Sequence, residues 1–195
     1  MKNTPLKKLN IALLGYGRMG KEIEAIAAES GHNICLIIDN ESDWLKYGKE
    51  LSKADVAIDF SLPKAATSNI KKCFTAKVPI VVGTTGWYSN YQDLYALCLE
   101  TDNCLFHATN FSLGVNIFSA INSRLAEIMN QFPDYSVCLS ETHHTEKLDA
   151  PSGTAISLAE NIIKKIEVKK SWALVDNFTS VAVSTIPIKA NRYVN

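Results

Sequence analysis

The sequence has no apolar run approaching the ~20 residues that a membrane span needs, no C-x-x-C pair, and no lysine and arginine block interleaved with aromatics. A membrane-spanning helix is therefore not expected. Five cysteines scattered without close pairing (Cys35, Cys73, Cys98, Cys104 and Cys138) read as small buried hydrophobes, so neither disulfides nor a metal site is expected. Charge of one sign is also lacking. Twenty basic residues balance twenty acidic ones, which offers nothing to a polyanion and argues against a nucleic-acid partner. Lys2, Lys7 and Lys8 ahead of an apolar stretch imitate the start of a signal peptide. The stretch is short, however, and runs into a glycine loop containing Arg18, so a cytoplasmic location is expected.

What is present is the composition of a globular chain. The 195 residues are 47% hydrophobic and 21% charged, enough for one large domain or two small ones. From Leu9 to about Phe111, short β-rich runs alternate with helical stretches. The spacing predicts strands over 10–14, 33–38, 55–60, 79–82 and 104–108, and helices over 19–30, 65–76 and 91–101, with a short polar segment after Ile38. Runs such as Val56-Ala57-Ile58 are continuously apolar, as suits parallel strands covered on both faces. This half reads as a doubly wound, Rossmann-type α/β nucleotide-binding domain, residues 1–111. In residues 112–195 the regular alternation stops. Helices near 115–131 and 154–166, a strand at 136–142 and strand-like residues from Phe178 to Ile188 predict a second, α+β domain for substrate.

Gly15-Tyr16-Gly17-Arg18-Met19-Gly20 is a G-x-G-x-x-G that leaves a strand and opens a helix. The first glycine permits a tight turn, the second lets the backbone approach a pyrophosphate, and the third allows helix–strand packing. Asp39 ends the next strand about twenty residues on, where a carboxylate can accept hydrogen bonds from an adenosine ribose. A 2′-phosphate would meet its negative charge, which favours NADH; Arg18 can offset that repulsion, so NADPH stays open. Gly83-Thr84-Thr85-Gly86 closes a parallel strand beside the place where a dinucleotide lies, and its hydroxyls and amides suit a ribose or carboxamide. Asn110-Phe111-Ser112 reads equally as a cofactor-side segment or as the start of a helix capped by Ser112.

The densest cluster of chemistry lies between Glu141 and Ala155. Two adjacent histidines, His143 and His144, are followed by Lys147, and half of the four histidines of the chain are here. Imidazole exchanges protons near neutral pH, and lysine supplies a cation or a general acid. Ser152 is a good N-cap, and the Gly153 and Thr154 amides at a helix start suit a carboxylate. Together these residues describe a pocket for a small anionic substrate.

This stretch resembles the signature of the dihydrodipicolinate reductases, E-x-H-H-x-x-K-x-D-A-P-S-G-T-A, at every fixed position. The family pattern is also similar to Asp55-Val56-Ala57-Ile58-Asp59-Phe60-Ser61 with Pro63, to Gly83-Thr84-Thr85-Gly86, and to Asn110-Phe111-Ser112-Leu113-Gly114-Val115-Asn116. The resemblance implies an NAD(P)H-dependent reductase of lysine biosynthesis that reduces a cyclic imine dicarboxylate at C4 after loss of its hydroxyl as water. It implies His143 as proton donor and acceptor, Lys147 as a proton donor, and His144, Gly153 and Thr154 against the substrate carboxylates. It implies a cofactor lined by Gly15, Tyr16, Gly17, Arg18, Met19, Gly20, Asp39, Gly83, Thr84, Thr85, Ala108, Thr109, Asn110 and Phe111, with the last two at a hinge, and a homotetramer.

Thr109 stands where the family has alanine or proline, and relatives are expected to continue beyond Asn195 with further strands and a last helix. On that expectation the second domain is incomplete, and the alternative to a working reductase is an inactive NAD(H)-binding relic. Another small NAD(P)-dependent dehydrogenase ranks behind both, because no cysteine sits in an activating setting.

Overall fold

The computed structural model describes residues 7–147, 149–179 and 181–193. It divides into two compact units, one ending at Thr109 and the other beginning at Asn110.

The first unit is a five-stranded parallel sheet. Strands β1 (Asn10–Leu14), β2 (Asn33–Ile38), β3 (Val56–Asp59), β4 (Ile80–Val82) and β5 (Leu105–His107) lie in the order β2-β1-β3-β4-β5. The continuous apolar runs have the cause expected for parallel strands. Ala12 and Leu14 enter one core with Ile70, Phe74, Ile80 and Val82, while Ile11 and Leu13 enter another with Ala27 on the opposite face. Each fully buried leucine or isoleucine contributes roughly 1.5–3 kcal/mol. Helices α1 (Arg18–Glu29), α3 (Pro63–Thr75) and α4 (Tyr91–Glu100) connect the strands, with Pro63 in the first turn of α3, where a missing N–H costs nothing.

The segment after Ile38, expected only as a short polar segment, contains a helix α2 (Glu41–Tyr47) and a 3-10 turn, Gly48–Lys53. Asn40 and Asp43 form a reciprocal capping box that starts this helix. The helix is short and leaves Leu45 exposed, so hydrophobic periodicity alone did not betray it.

Because β2 lies on one side of β1 and β3 on the other, the strand order reverses at β1. The loops after β1, β2, β3 and β4 all leave the carboxyl ends of parallel strands, at or beside this switch point.

The second unit holds α5 (Leu113–Met129), β6 (Leu139–His144), α6 (Gly153–Ile163), β7 (Ser171–Leu174) and β8 (Thr185–Tyr193). Its sheet has the order β6-β8-β7, and both pairs are parallel. Helix α6 carries the chain from β6 to β7 and leaves between them the strand's width that β8 fills. The pairing is thus α/β in kind where a break in alternation was expected. Strand β7 was not anticipated, and the strand-like run from Phe178 becomes a strand only at Thr185, because Asn177 Oδ1 accepts from the Thr179 amide (3.2 Å) and hydroxyl (2.8 Å) in a turn. Pro187 is tolerated in the central strand β8 because pairing with β6 begins only at Ile188. Ala126, Ala155, Ala159, Ile162, Ile186 and Ile188 form the core of this unit. No described helix is long and apolar enough to cross a membrane.

Candidate active site

In the first unit the glycine turn is built by close approach. Gly15 has φ of +91°, and a Cβ there would stand 2.5 Å from the Phe60 carbonyl oxygen; at Gly20 it would stand 2.4 Å from the Gly15 oxygen. Gly17 behaves differently. A Cβ on it would meet nothing within 4 Å, so this is a cradle beside the backbone, and Gly17 caps α1 with no side-chain hydrogen bond. The first amides of α1 therefore face outward without a competing cap, as a pyrophosphate requires. Asp39 Oδ1 accepts the Tyr16 amide at 2.6 Å, and the exposed carboxylate stands at the end of β2. Arg18 and Met19 are exposed. The turn fits a dinucleotide.

Thr84 departs from expectation. It is buried; its hydroxyl donates to Asp59 Oδ1 at 2.5 Å and accepts the Ser61 amide at 2.9 Å, so the side chain is committed to the protein. Asp59 is fully buried and also accepts from Ser61 Oγ (2.8 Å) and Asn69 Nδ2 (2.7 Å). Thr85 is exposed. Gly83 is held by its amide, which donates to the Asp59 carbonyl at 2.8 Å, and a Cβ on it would overlap the Phe60 ring at 2.2 Å. The Ala108 amide donates to the Val82 carbonyl at 3.3 Å, and Thr109 is exposed.

In the second unit Ser112 caps α5 by accepting the Val115 amide at 3.4 Å, while Asn110 Oδ1 accepts the Ser112 amide at 2.8 Å. The helix-start reading of this segment holds, with Asn110 and Phe111 just ahead of the cap.

The histidine loop is arranged by the pleat of β6. Leu139, Glu141 and His143 share the more buried face and Ser140, Thr142 and His144 the exposed one, so the two adjacent histidines do not converge on one side. His143 Nε2 lies 3.2 Å from Glu141 Oε2. Glu141 Oε1 accepts the Ser152 amide at 2.8 Å, its Oε2 accepts the Ser152 hydroxyl, and that hydroxyl accepts the Ala155 amide at 3.1 Å as the N-cap of α6. Burial opposes ionisation of Glu141, but the bonds from Ser152 and His143 outweigh it and hold the carboxyl below its ordinary value.

Lys147 Nζ bonds both oxygens of Asp149 at 2.7 and 2.8 Å, a contact that holds the Asp149 carboxyl low. Arg192 ties the loop to β8, its guanidinium donating to the Lys147 carbonyl at 3.2 Å and to the Asp149 carbonyl at 2.8 Å. Gly153 and Thr154 are exposed in the first turn of α6.

Sequence reasoning missed three groups. Glu141 had a legible signal, a carboxylate two residues before a histidine in a strand. Asp59 lay within a stretch singled out only for its pattern, and Arg192, distant in sequence, gave no signal.

The cysteines divide. Cys73 is buried, which pushes its thiol up to about 12, while Cys104 and Cys138 are exposed, against the expectation of burial. Their neighbours explain this: Cys138 lies in the irregular approach to β6, and Cys104 just ahead of the edge strand β5.

A parallel sheet with a glycine turn at its switch point makes the first unit a Rossmann-like α/β fold, followed by a second α/β unit. Comparison with known proteins narrows this. The family model of the dihydrodipicolinate reductase N-terminus matches residues 9–111 and that of the C-terminus residues 114–194. The chain is 44% identical over 187 residues to a 4-hydroxy-tetrahydrodipicolinate reductase of Christiangramia forsetii, covering 96% of this chain and 76% of that one. It is 33% identical to the Staphylococcus epidermidis protein of the same name, covering 81% of this chain and 65% of the relative, and 34% identical to that of Campylobacter jejuni, covering 79% and 62%. In fold it is similar to a dipicolinate-bound dihydrodipicolinate reductase from Paenisporosarcina sp. TG-14, with a TM-score of 0.66 at 24% identity over 96% of this chain and 80% of that one. The chain belongs to the dihydrodipicolinate reductase family.

Proposed function

We propose that this chain reduces 4-hydroxy-tetrahydrodipicolinate to tetrahydrodipicolinate with loss of water, using a pyridine nucleotide, in lysine biosynthesis through diaminopimelate. The observation that carries the reading is the union, in one short loop, of a histidine held by a carboxylate, a lysine, and a capped helix start that presents the Gly153 and Thr154 amides. The name of the structural neighbour supports a small planar dicarboxylate as the kind of ligand.

Residues 1–111 would hold the nucleotide and residues 112–195 the substrate. The nucleotide supplies the hydride. Gly15 to Gly20 with Asp39 would seat it, Gly83, Thr85, Ala108, Thr109, Asn110 and Phe111 would line it, and Thr84 would hold that lining in shape. Asp39 favours NADH, since its carboxylate would repel a 2′-phosphate. His143 would exchange the proton, Lys147 would donate one once drawn from Asp149 by the anionic substrate, and the α6 amides would bind a carboxylate. His144, on the other face of β6, would reach a carboxylate only through the exposed end of the strand.

The protein would work in the cytoplasm as a homo-oligomer, a tetramer. The apolar stripe that Leu113, Ile117, Ile121, Leu125 and Ile128 leave exposed along α5 supports self-association.

The test follows NADH oxidation by the purified, folded chain with freshly generated substrate. Substrate-dependent oxidation that collapses in His143→Ala supports the reading. NADH binding without turnover would overturn it in favour of a nucleotide-binding protein that does no chemistry.

A further inference from the structure

Three groups surround the carboxyl of Glu141, and the hydrogens of two of them are fixed. The Ser152 amide can only donate, and it does so to Oε1 at 2.8 Å. The Ser152 hydroxyl accepts the Ala155 amide at 3.1 Å, so its single hydrogen points at Glu141 Oε2. Both oxygens thus receive hydrogens; burial opposes ionisation, but these bonds favour the charged form and leave the carboxyl below its ordinary value, so that it is ionised at neutral pH. A carboxylate with no hydrogen to give faces His143 Nε2 at 3.2 Å, so that nitrogen must carry the hydrogen itself.

Strand geometry makes the two side chains neighbours. Glu141 and His143 are two residues apart on the same face of β6, and Ser152 pins the carboxylate from the start of α6. Among the described residues Glu141 is the only carboxylate bonded to His143, and Nδ1 of the ring makes no hydrogen bond; 31% of the side chain remains exposed. Two cations of the same strand pair and loop are occupied elsewhere: Arg192, in register with His143, serves backbone carbonyls, and Lys147 is held by Asp149.

We propose that Glu141 is the positioning residue for His143, fixing its ring as the Nε2–H tautomer so that Nδ1 is the nitrogen that exchanges a proton with substrate. This rests on the reading of His143 as the proton donor and acceptor. When Nδ1 takes a proton the ring becomes an imidazolium beside a carboxylate, and when it gives the proton up the same Nε2–H bond remains, so the ring need not turn during the cycle. Ser152 thereby couples the helix start that would hold a carboxylate to the group that would move the proton.

The test measures the 15N signals of the His143 ring in the full chain, alongside steady-state kinetics of wild type and Glu141→Gln. A glutamine has one acceptor and one donor. Its oxygen must serve the Ser152 amide, which leaves its NH2 facing His143 Nε2 and forces the hydrogen onto Nδ1. The expected results are an Nε2–H tautomer in wild type, an Nδ1–H tautomer in Glu141→Gln, and a fall in kcat on the order of 10²-fold with little change in KM. Ser152→Ala, which removes the cap and leaves the Glu141–His143 pair, should keep the Nε2–H tautomer.

An Nδ1–H tautomer in wild type, or wild-type kcat in a folded Glu141→Gln, overturns the proposal; the wild-type spectrum decides even where the variant fails to fold. If the tautomer switches as expected but wild type itself has no turnover, the positioning role stands and it is the proposed reaction that fails.

Discussion

Thr84 donates its hydroxyl hydrogen to Asp59 across 2.5 Å, tying the loop after β4 to the carboxyl end of β3 at a carboxylate with no exposed surface. Asp59 has no cation partner among the described residues; it is satisfied by four donors, two from Ser61, one from Asn69 and one from Thr84. Asn69 in turn accepts from Trp44 Nε1 at 3.1 Å. A buried charge is tolerable only while its donors are in place.

Thr84→Val should therefore destabilise the first unit by about 1–3 kcal/mol, the cost of leaving a buried acceptor short of a partner. Thr84→Ser should stay near wild type. Urea midpoints of the two variants compare these outcomes directly, and equal midpoints would mean that the hydroxyl is dispensable.

The three glycines of the turn should separate by role. Gly15→Ala combines a positive φ with a backbone clash at 2.5 Å, and Gly20→Ala drives a Cβ to 2.4 Å from the Gly15 oxygen, so both should lower the melting temperature markedly. Gly17→Ala meets no atom and has φ of −76°, so it should melt with wild type. Its methyl would instead fill the cradle, weakening NADH binding by roughly tenfold or more, about 1.4 kcal/mol. Titration by NADH fluorescence together with thermal melts distinguishes stability from binding.

How far the sequence carried this picture depends on range. Strands β1 and β2 were legible to the residue, because their apolar runs are bounded by Asn10, Asn33, Gly15 and Asp39, all polar or turn-forming. The caps Ser112 and Ser152 were legible because an N-cap is a local chemical event. The parallel pairing of β8 between β6 and β7 was not, since it joins residues some fifty positions apart, such as His143 and Arg192, with no local mark. The same applies at the site. Thr84 read as a free hydroxyl because its partner, Asp59, lies twenty-five residues away, and His143 and His144 read as a pair until the strand pleat turned them to opposite faces.

Asp39 has one observed task and one proposed one, and a single substitution can part them. Its Oδ1 receives the Tyr16 amide at 2.6 Å, which shapes the turn, and its charge would discriminate against a 2′-phosphate. Asp39→Asn keeps an acceptor for Tyr16 and removes the charge. Its affinity for NADPH relative to NADH should rise about tenfold, with the melting temperature little changed. Relative affinities measured by fluorescence check this, and an unchanged ratio would assign the discrimination elsewhere, with Arg18 the next group to alter.

Acid should reveal Glu141 through stability as well as through chemistry. Its carboxyl is held below the ordinary 4.5: burial pushes the value up, and the hydrogen bonds from Ser152 and His143 more than reverse that push. A depressed carboxyl contributes stability that is fully present above its unfolded value and disappears as the pH falls through the lower folded one. Asp149, drawn down from 3.8 by Lys147, adds a loss of the same sign at lower pH. The urea midpoints of wild type and Glu141→Gln should therefore differ most at neutral pH, with wild type the more stable. The gap should begin to narrow below about pH 4.5 and shrink further as Glu141 takes up its proton. A gap that widened toward acid would show the opposite, a carboxyl held above its ordinary value by burial, and Glu141 would then be a proton carrier in its own right.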